Sequence, residues 1–286
     1  MIKQQSSSRN TSLNDILTGI RREVRISKPL IHCITNPISI NDCANAVLAV
    51  GGRPIMAEHP KEVAEITRTA STLCVNLGNI TDTRMESMMI SGAVAKGAEI
   101  PSIIDVVGIG CSSLRYHYAM DYISTNQPSI IKGNMSEIRT LYNGSINTVG
   151  IDVNEMDSIN EASLPLKTFV VESLAIRYQC TVIASGLIDI ISDGTHTYYI
   201  RNGHEKLTWI TGTGCMLTVL TGSYLSTKDV LNSAILAVST LGICGELAKE
   251  VAGPGSFRTT LLDSLFILTD ETYFSMLKIE GKDGIL

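Results

Sequence analysis

The sharpest cluster of potential chemistry in this 286-residue chain is Thr211-Gly212-Thr213-Gly214-Cys215. Two glycines in five residues let backbone N–H groups converge on one concavity, and the run that follows has a helical pattern. N–H groups at a helix start stabilise a phosphate or a developing negative charge. Gly212, Thr213 and Gly214 are therefore expected to form an anion hole. Cys215 falls in the first turn behind it, where a lowered thiol pKa is expected. Taken alone, the pentapeptide reads equally well as a tight strand-to-helix turn with a packed cysteine. Asp105 precedes Gly108 and Gly110 at the end of an apolar run, a natural place for a carboxylate that organises Mg2+. That ion usually takes one or two carboxylates together with phosphates and waters. Glu137, in Gly133-Asn134-Met135-Ser136-Glu137, is placed to help from a helix start. Each acid by itself also reads as a cap or a solvated charge. Arg115, five residues beyond Gly110, can meet phosphates or lie solvated on a helix.

Competing chemistries lack their motifs. There is no G-x-x-x-x-G-K-[ST], no G-x-S-x-G elbow, no H-E-x-x-H and no G-x-G-x-x-G. These absences argue against a Walker site, an α/β-hydrolase, a zinc enzyme and a dinucleotide fold. The seven cysteines include no C-x-x-C pair, so they read as free thiols in a reducing cytoplasm. The balance of 23 Lys+Arg against 28 Asp+Glu, net −5, is a poor fit to a nucleic-acid binder. Residues 207–227 carry no charge but are rich in Thr, Gly and Ser, and they read as buried structure instead of a membrane span. Met1 to Asn10 are polar and lack the apolar core of a secretory signal. Residues 1–12 are expected to be a disordered extension, and 13–286 a single domain.

The groups named above need elements to hold them. Strands are expected at Leu30–Thr35, Pro54–Ala57, Thr72–Asn76, Ile100–Val107, Ser129–Lys132 and Thr181–Ser185. Helical patterns intervene at Asn41–Val50 (with Asn41 as cap), from Pro60, at Asp82–Lys96, after Gly133-Asn134 and at Glu161–Tyr178. Ile188–Ser192 and Thr197–Ile200 read as a small antiparallel element, and helices follow at 213–226, 229–250 and 256–268. Strands separated by helices make an α/β fold with a mostly parallel sheet covered on both faces. Chemistry in such sheets gathers at the carboxyl ends of the strands. The loops expected there are rich in Gly and Asn, which suits a polar, backbone-lined cleft.

The chain resembles the hydroxyethylthiazole kinase family of the ribokinase-like superfamily. The resemblance rests on H-C-I-T-N at 32–36, N-D-C-A-N at 41–45 and G-G-R-P-I-M-A at 51–57. It continues through D-V-V-G-I-G at 105–110, K-G-N-M-S-E-I at 132–138, T-G-T-G-C at 211–215 and G-P-G-S-F at 253–257. It implies a ribokinase-like three-layer fold and ATP- and Mg2+-dependent phosphorylation of the primary alcohol of 4-methyl-5-(2-hydroxyethyl)thiazole in thiamine salvage. It also implies a homotrimer with active sites at subunit boundaries. By motif, Met56 contacts the thiazole, Gly212 lies beside its hydroxyethyl arm, and Asn36 joins them in the substrate pocket. Arg115 and Ser185 take nucleotide-binding positions, and Cys215 stands where related kinases carry an aspartate base. The family generally has D-P-V-G, whereas position 106 is Val. Proline fixes φ and Val does not, so a looser loop is expected. Two other readings stay open, a hydroxymethylpyrimidine-type kinase and a non-catalytic protein that senses thiazole or nucleotide.

Overall fold

Short runs dominated by Ile, Val, Leu and Thr favour extended backbone, and here they pair into one sheet. The protein is described from a computed structural model covering residues 12–144, 161–282 and 284. Six strands run parallel: β1 (Leu30–Ile34), β2 (Arg53–Ile55), β3 (Thr72–Asn76), β4 (Ser102–Asp105), β5 (Ile130–Asn134) and β6 (Thr181–Ser185). Antiparallel β7 (Asp189–Ser192), β8 (Thr197–Ile200) and β9 (Ile279–Gly281) extend one edge, giving the order β2-β1-β3-β4-β5-β6-β7-β8-β9.

Successive side chains on a strand face opposite ways. Ile103 of β4 and Ile130 of β5 enter one apolar layer, and their neighbours Ile104 and Ile131 enter the other. The first layer packs on α1 (Leu13–Ser27), α2 (Ile40–Ala49), α8 (Thr213–Leu225), α9 (Val230–Leu247), α10 (Pro254–Ile267) and α11 (Asp270–Met276). The second packs on α3 (Val63–Thr69), α4 (Asp82–Gly97), α5 (Ser113–Asn126), α6 (Met135–Asn143) and α7 (Leu164–Tyr178). The expected three-layer α/β arrangement is therefore present. Among the described residues α9 is the one helix long and apolar enough to cross a membrane, and 72% of it is buried inside the protein. The uncharged stretch at 207–227 becomes a 3₁₀ turn and the buried helix α8.

The pattern locates β3 and β6 to the residue, and differences fall at element ends. Residues 1–11 of the expected extension lie outside the described residues. Ser12 caps α1 in a reciprocal capping box with Asp15. Asn41 is not the cap of α2, because the helix starts one residue earlier, behind Ser39. The Asn41 side chain instead accepts from Asn45 at 3.1 Å. Pro60 stands in a turn ahead of α3 and not in its first turn. The helix expected from Glu161 begins at Leu164, with Pro165 in its first turn.

Candidate active site

Strand pairing builds the site. Parallel register sets Asn76 of β3 opposite Asp105 of β4, and Asp105 opposite Lys132 of β5, at the carboxyl ends of the strands. Asp105 is only 1% exposed, and its Oδ2 accepts from Asn76 Nδ2 at 2.9 Å and Lys132 Nζ at 2.9 Å. The Thr218 hydroxyl, from α8, lies 2.8 Å from the same oxygen. The other carboxylate oxygen, Oδ1, is buried with no hydrogen-bond partner. An unpaired buried carboxylate oxygen is costly, so it marks a place where a ligand is expected.

Helix α8 starts against this row. Gly212 adopts φ +92°, a left-handed conformation that favours glycine, and a Cβ there would lie 2.5 Å from Ser39 Cβ. Glycine also offers no capping side chain, so the first-turn N–H groups of Thr213, Gly214 and Cys215 point out of the helix. The sequence places the anion hole on Gly212, Thr213 and Gly214; Gly212 is the N-cap residue, and the open first turn of α8 starts at Thr213. Thr213 anchors the turn by donating from Oγ1 to Leu207 O at 3.1 Å.

Cys215 corrects one expectation. Its Sγ receives Asn76 Nδ2 at 3.4 Å and is almost fully buried. Burial, and then the charge of Asp105, push its pKa up rather than down. Desolvation outweighs the helix start here, so the thiol stays protonated at neutral pH. Glu137 is a cap as well as a candidate ligand: its Oε1 accepts from Gly108 N at 2.8 Å and its Oε2 from Asn134 N at 2.7 Å. Burial, with Asp105 nearby, raises its pKa to about 7 against the pull of Lys132 and the two N–H donors. The loop after Asp105 also departs from the looser form expected. Val106 is fully buried, and its N–H, which a proline lacks, donates to Lys132 O at 2.9 Å.

Two arginines tie the neighbouring loops. Arg115, half-buried on α5, donates to Leu77 O after β3 and lies 3.4 Å from Val107 O after β4. Buried Arg84, on α4, donates to Thr35 O after β1, to Gly78 O at 3.1 Å and to Asn79 O at 2.8 Å. Its Nε faces Glu58, two residues past Met56, at 3.3 Å. Asn36 closes its own turn by accepting from Ile38 N at 3.0 Å, and Gly78 packs against its amide. Met56 is half-buried beside the first apolar layer. Ser185, at the end of β6, pairs in register with Asn134 and donates to Gly133 O at 3.4 Å.

The structure thus links Asp105 to Gly214 through Lys132 and Thr218 and to Cys215 through Asn76, with Gly212 and Thr213 immediately before them, and sets Glu137 at the start of α6, Arg115 near the start of α5 and Ser185 at the end of β6. Asn36 and Met56 lie in the loops after β1 and β2. Sequence reasoning missed Asn76, Lys132, Thr218 and Arg84. A strand-end lysine before Gly133-Asn134 was the available signal for Lys132. Buried His32 is structural, bonded to Thr67 Oγ1 and Ala57 O, each at 2.9 Å.

A sequence model of the hydroxyethylthiazole kinase family matches residues 21–271. "Hydroxyethylthiazole kinase 2" of Clostridium botulinum is 51% identical over 262 residues, covering 92% of this chain and 99% of that protein. A hydroxyethylthiazole kinase of Methanobrevibacter smithii is 40% identical over 269 residues, covering 90% and 94%. The solved structure of a hydroxyethylthiazole kinase from Pyrococcus horikoshii superposes with a TM-score of 0.84 at 30% identity, covering 93% and 98%. Motifs, ribokinase-like layers and near full-length similarity all converge, and the chain belongs to the hydroxyethylthiazole kinase family.

Proposed function

We propose that the chain transfers the γ-phosphoryl group of ATP to the primary hydroxyl of 4-methyl-5-(2-hydroxyethyl)thiazole, giving the thiazole phosphate and ADP for thiamine synthesis. The observation that carries this reading is the open start of α8 facing a buried carboxylate with one unpaired oxygen, in a chain of this family. In-line transfer forms a bond from the substrate oxygen to the γ-phosphorus and breaks the bond to the β–γ bridging oxygen, which leaves on ADP, while the hydroxyl proton passes to an oxygen of the transferred phosphoryl group. The transition state is loose, so the protein contributes placement and charge stabilisation more than covalent chemistry. The Thr213, Gly214 and Cys215 N–H groups meet the charge that spreads over the moving phosphoryl.

Cys215 holds the hydroxyl in line from a protonated thiol, while Met56, Asn36 and Gly212 line the thiazole side. Arg115 and Ser185 serve the nucleotide. The residues fit Mg2+ through Asp105 Oδ1, an unpaired buried carboxylate oxygen of the donor type that hard cations take. Both Glu137 oxygens already accept N–H groups, so its contribution there is charge. Bound Mg2+ supplies charge neutralisation on the phosphates.

The working form is a homotrimer with sites at subunit boundaries. Exposed apolar residues such as Phe266 and Ile267 on α10, both about two-thirds exposed, support burial against another subunit. Seven free thiols support a reducing cytoplasm. The region 13–286 is read as one domain. A coupled ADP-release assay with ATP and Mg2+ tests the reading. Turnover is expected with the hydroxyethylthiazole and not with hydroxymethylpyrimidine. The reverse preference would overturn the substrate, and thiazole binding without ADP release would favour a sensor.

A further inference from the structure

We infer that Arg84 is a positioning residue for the alcohol substrate: it locks the loops after β1, β2 and β3 into one arrangement around the proposed thiazole site. The inference rests on the phosphotransferase reading above. Arg84 sits in the first turn of α4, where its N–H donates to Thr81 Oγ1 at 3.3 Å, and its side chain is 3% exposed. The guanidinium leaves the helix and is taken up by strand-end loops. Its Nη2 donates to Thr35 O, beside Asn36. Its Nη1 reaches Gly78 O at 3.1 Å and Asn79 O at 2.8 Å. Its Nε lies 3.3 Å from Glu58 Oε2, two residues past Met56.

Three observations mark this as more than a loop brace. Gly78 is the point at which Asn36 and Asn76 meet. Its N–H donates to Asn76 Oδ1 at 2.8 Å, and a Cβ on it would stand 2.6 Å from Asn36 Nδ2. Because Asn76 Oδ1 is taken by Gly78, Nδ2 is the end that turns to Cys215 Sγ and Asp105 Oδ2. Holding the Gly78 carbonyl therefore steadies both amides at once. The β2 loop is fastened to the same helix twice, since Ser87 of α4 donates from Oγ to Glu58 O at 2.7 Å while Arg84 meets the Glu58 carboxylate. Asn79 takes a left-handed φ of +52°, which asparagine tolerates better than most residues, and its carbonyl shares Nη1 with that of Gly78. A planar fork of five donors can span three loops in this way, which the single ammonium of a lysine cannot. The nucleotide side hangs on other ties, as Lys132 and Thr218 hold Asp105. Loss of the Arg84 fork should thus fall on the thiazole and not on ATP.

The test uses the full chain with Arg84→Lys, Glu58→Ala and the double variant. Hydroxyethylthiazole and a β,γ-methylene ATP analogue are titrated by calorimetry beside steady-state kinetics. Glu58 is half exposed, so its truncation leaves the fold in place. Arg84→Lys is expected to weaken thiazole binding about tenfold and to raise its KM to match, with analogue affinity within about threefold of wild type. Glu58→Ala should weaken thiazole binding about threefold and should add little in the Arg84→Lys background, because the two side chains act as one contact. Thiazole affinity within about twofold of wild type in Arg84→Lys overturns the inference. So does an equal loss of thiazole and analogue affinity, which marks a general folding defect. If Arg84→Lys does not fold, Glu58→Ala decides, and unchanged thiazole affinity there overturns the inference as well. Wild type that binds thiazole without turnover defeats the transfer reading alone, and the calorimetric arm still judges Arg84. Wild type that neither binds nor phosphorylates thiazole removes both.

Discussion

A protonated thiol in the position of a base separates two roles that sequence alone leaves merged. Asn76 Nδ2 bridges Cys215 Sγ at 3.4 Å and Asp105 Oδ2 at 2.9 Å, so thiol and carboxylate belong to one hydrogen-bonded unit. With its pKa raised by burial and by Asp105, Cys215 keeps its proton at neutral pH, and the role proposed for it is to orient the hydroxyl without taking the hydroxyl's proton. Cys215→Ala is therefore expected to lower kcat by about tenfold, roughly 1.4 kcal/mol, with the KM for ATP within twofold of wild type. Steady-state kinetics with both substrates varied checks this, and an unchanged kcat would remove Cys215 from the mechanism. At this scale the sequence exposed the residues whose types announce chemistry: Asp105, Cys215 and the glycines around them. It hid Asn76 and Lys132. Their importance comes from the side-by-side register of β3, β4 and β5, a tertiary fact without local periodicity. Arg84 was hidden for the same reason, as a helical arginine reads as solvated until three loops are seen to close over it.

Elements were legible where the pattern was strong and local. Short apolar runs placed the buried strands, and helical patterns placed α4, α8 and α9. Ends moved by a few residues, as where α2 begins at Ile40 and α7 at Leu164. The stripe Leu13, Ile16, Leu17, Ile20 and Val24 stands in the sequence as a helix signal for α1. Strand β9 has no such signal, because its three residues are extended only through pairing with β8. Glu246 on α9 holds that edge. Its Oε1 accepts from Gly203 N at 2.9 Å and Asn202 Nδ2 at 3.1 Å, and Lys278 Nζ reaches its Oε2 at 2.9 Å. Burial raises its pKa, but the Gly203, Lys278 and Asn202 donors together outweigh burial and leave the pKa lowered. A lowered folded-state pKa contributes stability above the ordinary Glu value, and that stability is lost as pH falls through the lowered value. Glu246→Gln is expected to cost about 1–3 kcal/mol at pH 7. The difference from wild type should shrink as pH drops below the ordinary Glu range. Urea unfolding of both proteins at neutral and acid pH reads this out, and a cost independent of pH would contradict it.

For the whole molecule, a parallel sheet with apolar layers on both faces leaves the carboxyl ends of its strands as the common address of the site's groups. That rule let the sequence indicate where the site lies before any distance was known. Topology separates the loops after β1 and β2, proposed to line the thiazole, from the ends of β4, β5 and β6, proposed to serve the nucleotide, with the start of α8 meeting both. Asn76, on β3, stands between them. The phosphoryl group is proposed to pass between these halves to an alcohol and not to water. The most direct measurement supplies γ-labelled ATP, Mg2+ and the hydroxyethylthiazole to the purified chain and follows the label. Label is expected on the thiazole phosphate in one-to-one ratio with ADP. Label released as inorganic phosphate, or retained in ATP while the thiazole is bound, would contradict it.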